Sequence, residues 1–258
     1  MNGDYTVGEL MAAVIADDLK DGEVAAMGAV SMIPMSACRL AQYTHAPNLW
    51  YIAGAGGAIN SQLEPLVLSS CDYANLKSDG VISFQDILTL EGKGAIDVFF
   101  AGGMQIDMYG NCNLICIGDY DDPVVRGPGT VGLTWLPKVK RVVIYSAAHT
   151  NRIFVEKVDF NSGPGFLSGP EAWGKENLQT QGPALVVTPL CVMDFEPESK
   201  RMRLKSVHPG VSVEQVKANT GFELIMPDKV VVTPVPTAEQ LAIMSKFDPS
   251  GILKGVIK

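Results

Sequence analysis

Apolar positions along this chain recur with two different spacings, and their alternation predicts the order of elements. Leu10, Met11, Val14 and Ile15 fall on one face of a helix. Thr6 and Glu9 stand ahead of them at capping-box spacing, and Gly22 stops the helix after Leu19. Residues 23–28 then predict a short buried strand, and Pro34 opens a second helix that ends before Ala46-Pro47. The next strand, 49–53, runs straight into Gly54-Ala55-Gly56-Gly57. Ser83 with Asp86 caps a helix through Leu90, and 96–101 is a strand ending in Gly102-Gly103. Further strands are predicted at 114–117, 141–145, 152–156 and 184–188. Late helices begin at Ser212 and at Thr237, the latter with Gln240 at capping-box spacing. Residues 162–182, rich in Gly, Pro and Ser, read as a long surface loop. Strands alternating with helices predict an α/β fold, a mostly parallel open sheet with helices on both faces. We expect one domain over residues 1–258, with glycine turns at the strand ends where such sheets bind ligands.

Composition narrows the class of partner. A chain of 258 residues buries enough surface to fold without disulfide or metal staples. Aromatic residues are only 7%, so the 47% hydrophobic content is chiefly aliphatic, as buried parallel strands require. Formal net charge is -8 with no Lys/Arg cluster, which argues against nucleic acid and anionic membranes as partners. No run of 18 or more apolar residues predicts a membrane span, and the opening MNGDYTVGEL lacks the pattern of a signal peptide. Five scattered cysteines, an odd number, read as reduced thiols of a cytoplasmic protein. Cys112 and Cys116 lack a second Cys or His pair at zinc spacing, and His45, His149 and His208 are far apart, so no metal site is expected.

Two glycine runs carry candidate chemistry. Gly54-Ala55-Gly56-Gly57 fits either a tight turn or a backbone that approaches a phosphate or thioester closely. It lacks the third glycine of a dinucleotide fingerprint, and residues 127–132 lack the Lys-Ser/Thr of a P-loop. Spacing alone reaches no further.

Longer strings do. Residues 101–113, Ala-Gly-Gly-Met-Gln-Ile-Asp-Met-Tyr-Gly-Asn-Cys-Asn, resemble the G-G-A-Q-I-D-x-Y-G-N-x-N stretch of glutaconate CoA-transferase β subunits, of the class I CoA-transferase family. Ile117-Gly118-Asp119-Tyr120 continues the match. Thr44-His45-Ala46-Pro47-Asn48 resembles the family's A-P-D/N entry to the active-site strand, and Lys157-Val158-Asp159-Phe160 with Ser162-Gly163-Pro164-Gly165-Phe166 resembles its K-I-D-Y…S-P-G-W. His208-Pro209-Gly210-Val211, Thr220-Gly221-Phe222-Glu223-Leu224 and Phe247-Asp248-Pro249 follow in the family's order. The resemblance implies a β-subunit fold, a CoA-transferase-like α subunit as partner in an α2β2 assembly, and an acyl-CoA substrate. Coenzyme A then enters as part of the substrate and no other cofactor is implied. On this reading Gly102, Gly103, Gln105 and Asn113 either line the substrate pocket or pin loop backbone. Met32 and Met35 either shape an acyl pocket or fill core.

One departure from the family bears on the reaction. The family's strand after A-P-D/N ends in V-E-S-G, and its glutamate attacks the acyl-CoA and carries CoA as a glutamyl thioester. Counting from Ala46-Pro47-Asn48 brings that position to Gly54, which has no side chain to react. No Asp or Glu occurs between Glu23 and Glu64, and transferases carry a glutamate at the Glu64 place as well, which favours a structural role there. Relatives without the glutamate resemble two other kinds of enzyme: hydrolases of steroid-derived acyl-CoAs, with glycine in its place, and a methylglutaconyl-type decarboxylase, with cysteine. The resemblance therefore points first to a ring-opening or C–C-cleaving hydrolase. In it the N–H groups of Gly54, Ala55, Gly56 and Gly57 would stabilise an oxyanion, and the α subunit would supply the acid/base group. Decarboxylation, transfer through another carboxylate and a non-catalytic scaffold are the alternatives. His149 reads as a satisfied histidine more readily than as a base.

Overall fold

The computed structural model describes residues 5–62, 66–178 and 180–257. Two compact units share the chain: one runs through Phe100 and resumes at Pro234, and the other spans Ala101–Thr233.

In the first unit, helix α1 (Val7–Asp18) starts where the capping box requires. Thr6 Oγ1 accepts the Glu9 N–H, and the Glu9 carboxylate accepts the Thr6 N–H at 2.7 Å. Leu10, Met11, Ile15 and the alanines between them are all buried, so α1 is covered on most sides rather than along one stripe. Strand β1 (Val24–Met27) leads to α2 (Met32–Thr44), which packs along α1. The second helix begins two residues before Pro34, whose ring is tolerated within the first turn because no intrahelical N–H is needed there. Strands β2 (Trp50–Ala53), β3 (Ala58–Ile59) and β4 (Gly80–Val81) precede α3 (Phe84–Gly92), capped by Ser83 and Asp86 as expected, and β5 (Val98–Ala101). Strand β1 lies between β2 and β5, parallel to both, and β3 and β4 extend this sheet with antiparallel pairs.

In the second unit, β6 (Gln105–Ile106) and β7 (Cys112–Asn113) form one short hairpin, and β8 (Cys116–Gly118) and β9 (Pro123–Arg126) another. Strand β10 (Arg141–Tyr145), helix α4 (Pro170–Glu176) and strands β11 (Pro183–Val187), β12 (Cys191–Phe195) and β13 (Met202–Val207) follow. Helix α5 (Val213–Asn219), with its Ser212/Gln215 capping box, and strand β14 (Val231–Val232) complete the unit. The pairs β10–β11 and β13–β14 are parallel, while β11–β12–β13 is an antiparallel meander. Helices α6 (Ala238–Phe247), capped by Thr237 and Gln240, and α7 (Ile252–Val256) belong to the first unit. The open α/β sheet expected from the sequence is present, with antiparallel strands added to its parallel pairs.

Three expectations are corrected. Residues 152–156 are a turn carrying a single bridge, not a strand. The N–H groups of Ile153 and Phe154 both reach back to Thr150 O, and the bridge that does form, Ile106 to Phe154, is to the two-residue β6. The strand predicted at 114–117 is displaced to Cys116–Gly118, because Asn113 Oδ1 accepts the Ile115 N–H and holds 113–116 as a turn. The segment 162–182 is not a plain surface loop: it contains α4, and Ser162, Gly163 and Phe166 are buried.

Candidate active site

Strand β2 ends in a single 3-10 turn over Gly54–Gly56, and Gly57 turns the chain back into β3. Gly54 and Gly57 hold φ of +54° and +70°, a left-handed region that favours glycine. Gly57 N–H donates to Gly54 O, and Gly57 O accepts the Ile82 N–H. A Cβ at residue 57 would strike Ile82 O, so the turn is locked against the backbone just after β4.

The space above Gly54 is filled from another part of the chain. A Cβ at residue 54 would strike Ser70 Oγ and lie 3.3 Å from Cys71 Sγ, and one at residue 56 would lie 3.5 Å from Cys71 Cα. Ser70 Oγ donates to Gly28 O at 2.6 Å, and Ser70 N–H donates to Ala29 O. The carboxyl ends of β1 and β2 and the segment 69–71 therefore meet at one place. Asn75, buried, holds that segment by donating from Nδ2 to Ser69 O and Ser70 O, both at 3.1 Å. Ser70 is buried, whereas the Cys71 thiol is exposed. Sequence reasoning missed both residues, since Ser69-Ser70-Cys71 matches no spacing rule and its meeting with Gly54 is purely three-dimensional.

Met32 opens α2 and is half-buried; Met35 is wholly buried, which is the core-packing role. Glu64 lies outside the described residues. Among the described residues no three His, Cys, Asp or Glu side chains group as metal ligands, and no helix is long and apolar enough to cross a membrane.

The motif that carries the family resemblance lies in the second unit and is a knot of buried hydrogen bonds. A Cβ on Gly103 would approach Gln105 O to 2.6 Å, and one on Gly102 would approach Tyr145 O to 3.0 Å. Gln105 Oε1 accepts from Asn113 Nδ2 at 2.7 Å and from Asp159 N–H at 2.9 Å, while its Nε2 donates to Asp159 Oδ2 at 2.9 Å. Asn113 Nδ2 also donates to Cys116 O, and its Oδ1 accepts the N–H groups of Ile115 and Cys116. Both amides are engaged within the chain at each end, so the loop-pinning role is the one this geometry carries. Asp107, buried, accepts from the N–H groups of Tyr109 and Asn111 and from Asn111 Nδ2, and burial pushes its carboxyl pKa up against these bonds. Asn111 Oδ1 then accepts the Gly165 N–H at 2.8 Å, tying 101–118 to 159–167. His149 is buried between Thr188 and Thr220, with its pKa lowered to about 4 by burial and by nearby His208. It is the satisfied histidine expected.

Glycine turns at the ends of parallel strands in an open α/β sheet mark proteins that bind ligands beyond those strand ends. The chain belongs to the Coenzyme A transferase family, whose model matches residues 9–219. It is 34% identical over 248 residues to the B-type subunit of the 3-oxoadipate CoA-transferase of Pseudomonas knackmussii, covering 95% of this chain and 94% of that one. It is 31% identical to the B-type subunit of the glutaconate CoA-transferase of Acidaminococcus fermentans, covering 95% and 93%. The crystal structure of glutaconate coenzyme A-transferase from that organism superposes with a TM-score of 0.87, covering 97% and 98% of the two chains at 28% identity. The decarboxylase AibA/AibB superposes with a TM-score of 0.85 at 25% identity, covering 98% and 99%. The cholesterol ring-cleaving hydrolase IpdB subunit of Rhodococcus jostii is 28% identical, covering 96% and 95%. The fold is therefore that of a CoA-transferase β subunit, and the relatives are B-type subunits of heteromeric enzymes.

Proposed function

We propose that this chain is the β subunit of a two-subunit enzyme that acts on an acyl-CoA thioester without carrying CoA covalently, and that it is a hydrolase of the ring-opening or C–C-cleaving kind. The observation that carries the reading is the turn at Gly54: a glycine at positive φ, with Ser70 packed where a side chain would emerge. If this is the position of the family's glutamate, no group is present there to attack the thioester. The backbone N–H groups of Gly54, Ala55 and Gly56 would then face the thioester oxyanion, each donor contributing on the order of 3 kcal/mol to the transition state, while the Gly57 N–H is taken by Gly54 O and closes the turn. Acid/base work falls to an α-type partner, and the A/B naming of the relatives supports that partner.

A second reading, decarboxylation, is favoured by one observation: the exposed Cys71 thiol lies beside Gly54. The two relatives with the highest identities given above are named transferases, so the first assay is CoA exchange. The chain is co-purified with its α-type subunit and incubated with acyl-CoAs plus acetate or succinate. The proposal expects no new acyl-CoA. A water-added acyl-CoA with CoA retained indicates C–C or ring cleavage, free CoA indicates thioester hydrolysis, and CO2 supports the second reading. A new acyl-CoA, with a hydroxylamine-sensitive adduct on this chain, would overturn the proposal. Turnover unchanged by rebuilding residues 54–57 would reduce this chain to a scaffold.

A further inference from the structure

We infer that Ser70 is a specificity-determining residue: its side chain closes the space into which a group on residue 54 would project, and so withholds covalent chemistry from that position. The inference rests on the proposed function's assignment of residue 54 to the reacting centre.

Two obstacles face a side chain at residue 54, and they differ in kind. The first is the backbone, at φ +54°. It is not prohibitive, because Asn60, six residues on, holds φ +48° with a side chain in place. The second is packing, and it is specific. Ser70 Oγ overlaps the Cβ position, and Ser70 Cβ lies 3.3 Å from it. Rotating the hydroxyl away would break its bonds to Gly28 O at 2.6 Å and Ala29 O at 3.1 Å, yet leave Ser70 Cβ where it is. Growth beyond Cβ is hindered as well, by the sulfur of Cys71 at 3.3 Å from the same point.

The segment is also held from behind. Asn75 Nδ2 clasps the carbonyls of Ser69 and Ser70, Asn75 Oδ1 accepts Ser61 Oγ–H at 2.6 Å, and Ser61 Oγ accepts from Arg39 Nη2 at 3.2 Å. Ser70, Asn75, Ser61 and Arg39 are all buried, so this chain of bonds runs from α2 to the roof of the Gly54 turn without solvent to loosen it. A single change at residue 54 would therefore not restore a nucleophile; the roof must open with it.

The test pairs substitutions. Thermal midpoints are measured for the full chain, Gly54→Ala, Ser70→Gly and the double variant. Gly54→Ala should lower the midpoint by at least about 3 °C more with Ser70 present than in the Ser70→Gly background. Equal cost in both backgrounds would overturn the inference. Next, Gly54→Glu and Gly54→Glu/Ser70→Gly are each co-purified with the α-type subunit and incubated with acyl-CoA. The introduced carboxylate would attack the thioester carbonyl, breaking C–S and releasing CoA thiolate. The thiolate would attack the resulting anhydride at its glutamyl carbonyl, breaking C–O, releasing the acyl group as a carboxylate and leaving CoA on the chain. Hydroxylamine and mass spectrometry should find that adduct in the double variant only. An adduct in Gly54→Glu alone, or none in the double variant, would remove Ser70's role in reaction choice. An adduct on the unsubstituted chain would instead overturn the proposed function, whatever the Ser70 comparison gives.

Discussion

Acid should weaken the second unit through two buried histidines, and the structure says over which pH range. His149 Nδ1 lies 2.8 Å from Thr188 Oγ1, and its Nε2 lies 3.0 Å from Thr220 Oγ1. Thr220 gives its own hydrogen to Val216 O at 2.8 Å, so it accepts from His149 Nε2–H. Thr188 then donates to Nδ1, leaving the neutral ring satisfied on both sides and stacked on Phe154 at 4.4 Å. His208 Nε2–H donates to Thr188 O at 2.8 Å, so one threonine serves both rings. A second ring proton on His149 would have to turn Thr188 away toward Cys191 O, at a longer 3.2 Å. Burial accordingly lowers both pKa values from 6.5 to about 4, with the mutual repulsion of the two rings adding to the shift at His149. Above pH 7 neither the folded nor the unfolded chain holds the extra protons and stability is full. As pH falls through 6.5 the unfolded chain takes them up first, so stability drops until the folded rings protonate near pH 4. A shift of this size is on the order of 3 kcal/mol per histidine, large beside a total stability of about 5–15 kcal/mol. The perturbation is His149→Gln, compared with the unsubstituted chain by urea unfolding at pH 7.5, 6.5, 5.5 and 4.5. The variant should be weaker at pH 7.5, yet lose roughly 2–3 kcal/mol less than the unsubstituted chain on acidification to pH 4.5. Asp107, whose raised pKa acts in the opposite sense, is present in both chains and cancels. Parallel stability–pH lines for the two chains would refute the reasoning.

Three further outcomes are expected. Asp107→Ala strips acceptors from the N–H groups of Tyr109 and Asn111 and should cost about 2–4 kcal/mol in urea unfolding; a neutral result would show that the family motif is not the structural knot described. Gly57→Ala should cost more than about 2 kcal/mol, because Ile82 O blocks its Cβ, whereas Gly22→Ala at a similar φ with open space around it should cost only about 1 kcal/mol. Comparable losses in the two variants would remove the packing argument at the turn. In the native chain at pH 7.5, a maleimide should add one label, on Cys71, since Cys38, Cys112, Cys116 and Cys191 are buried. A fast second label would contradict the burial.

What was legible from the sequence was whatever neighbouring residues decide between themselves. All three predicted capping pairs, Thr6/Glu9, Ser83/Asp86 and Thr237/Gln240, sit at helix starts, and the helix predicted to begin at Ser212 does so with Gln215 closing its cap, because a cap is closed by residues three apart. The meander β11–β12–β13 was not read, since its register depends on strands finding one another, and its turn at Lys200, φ +60°, lacks the glycine that would have signalled it. Residues 152–156 failed for a related reason: their β-forming composition met a partner strand only two residues long. The candidate site divides in the same way. The glycine turn was visible as a string, but its emptiness has meaning only beside Ser70 and Cys71, which approach from sixteen and seventeen residues further along the chain. The signature motif shows the converse. Gln105, Asp107, Asn111 and Asn113 are the residues that make the family recognisable, and they are the ones turned inward on loop backbone. A string of polar residues can thus identify the scaffold while leaving the reaction open, because those side chains are spent on loop backbone, whereas the proposed function turns on whether one side chain is present at residue 54.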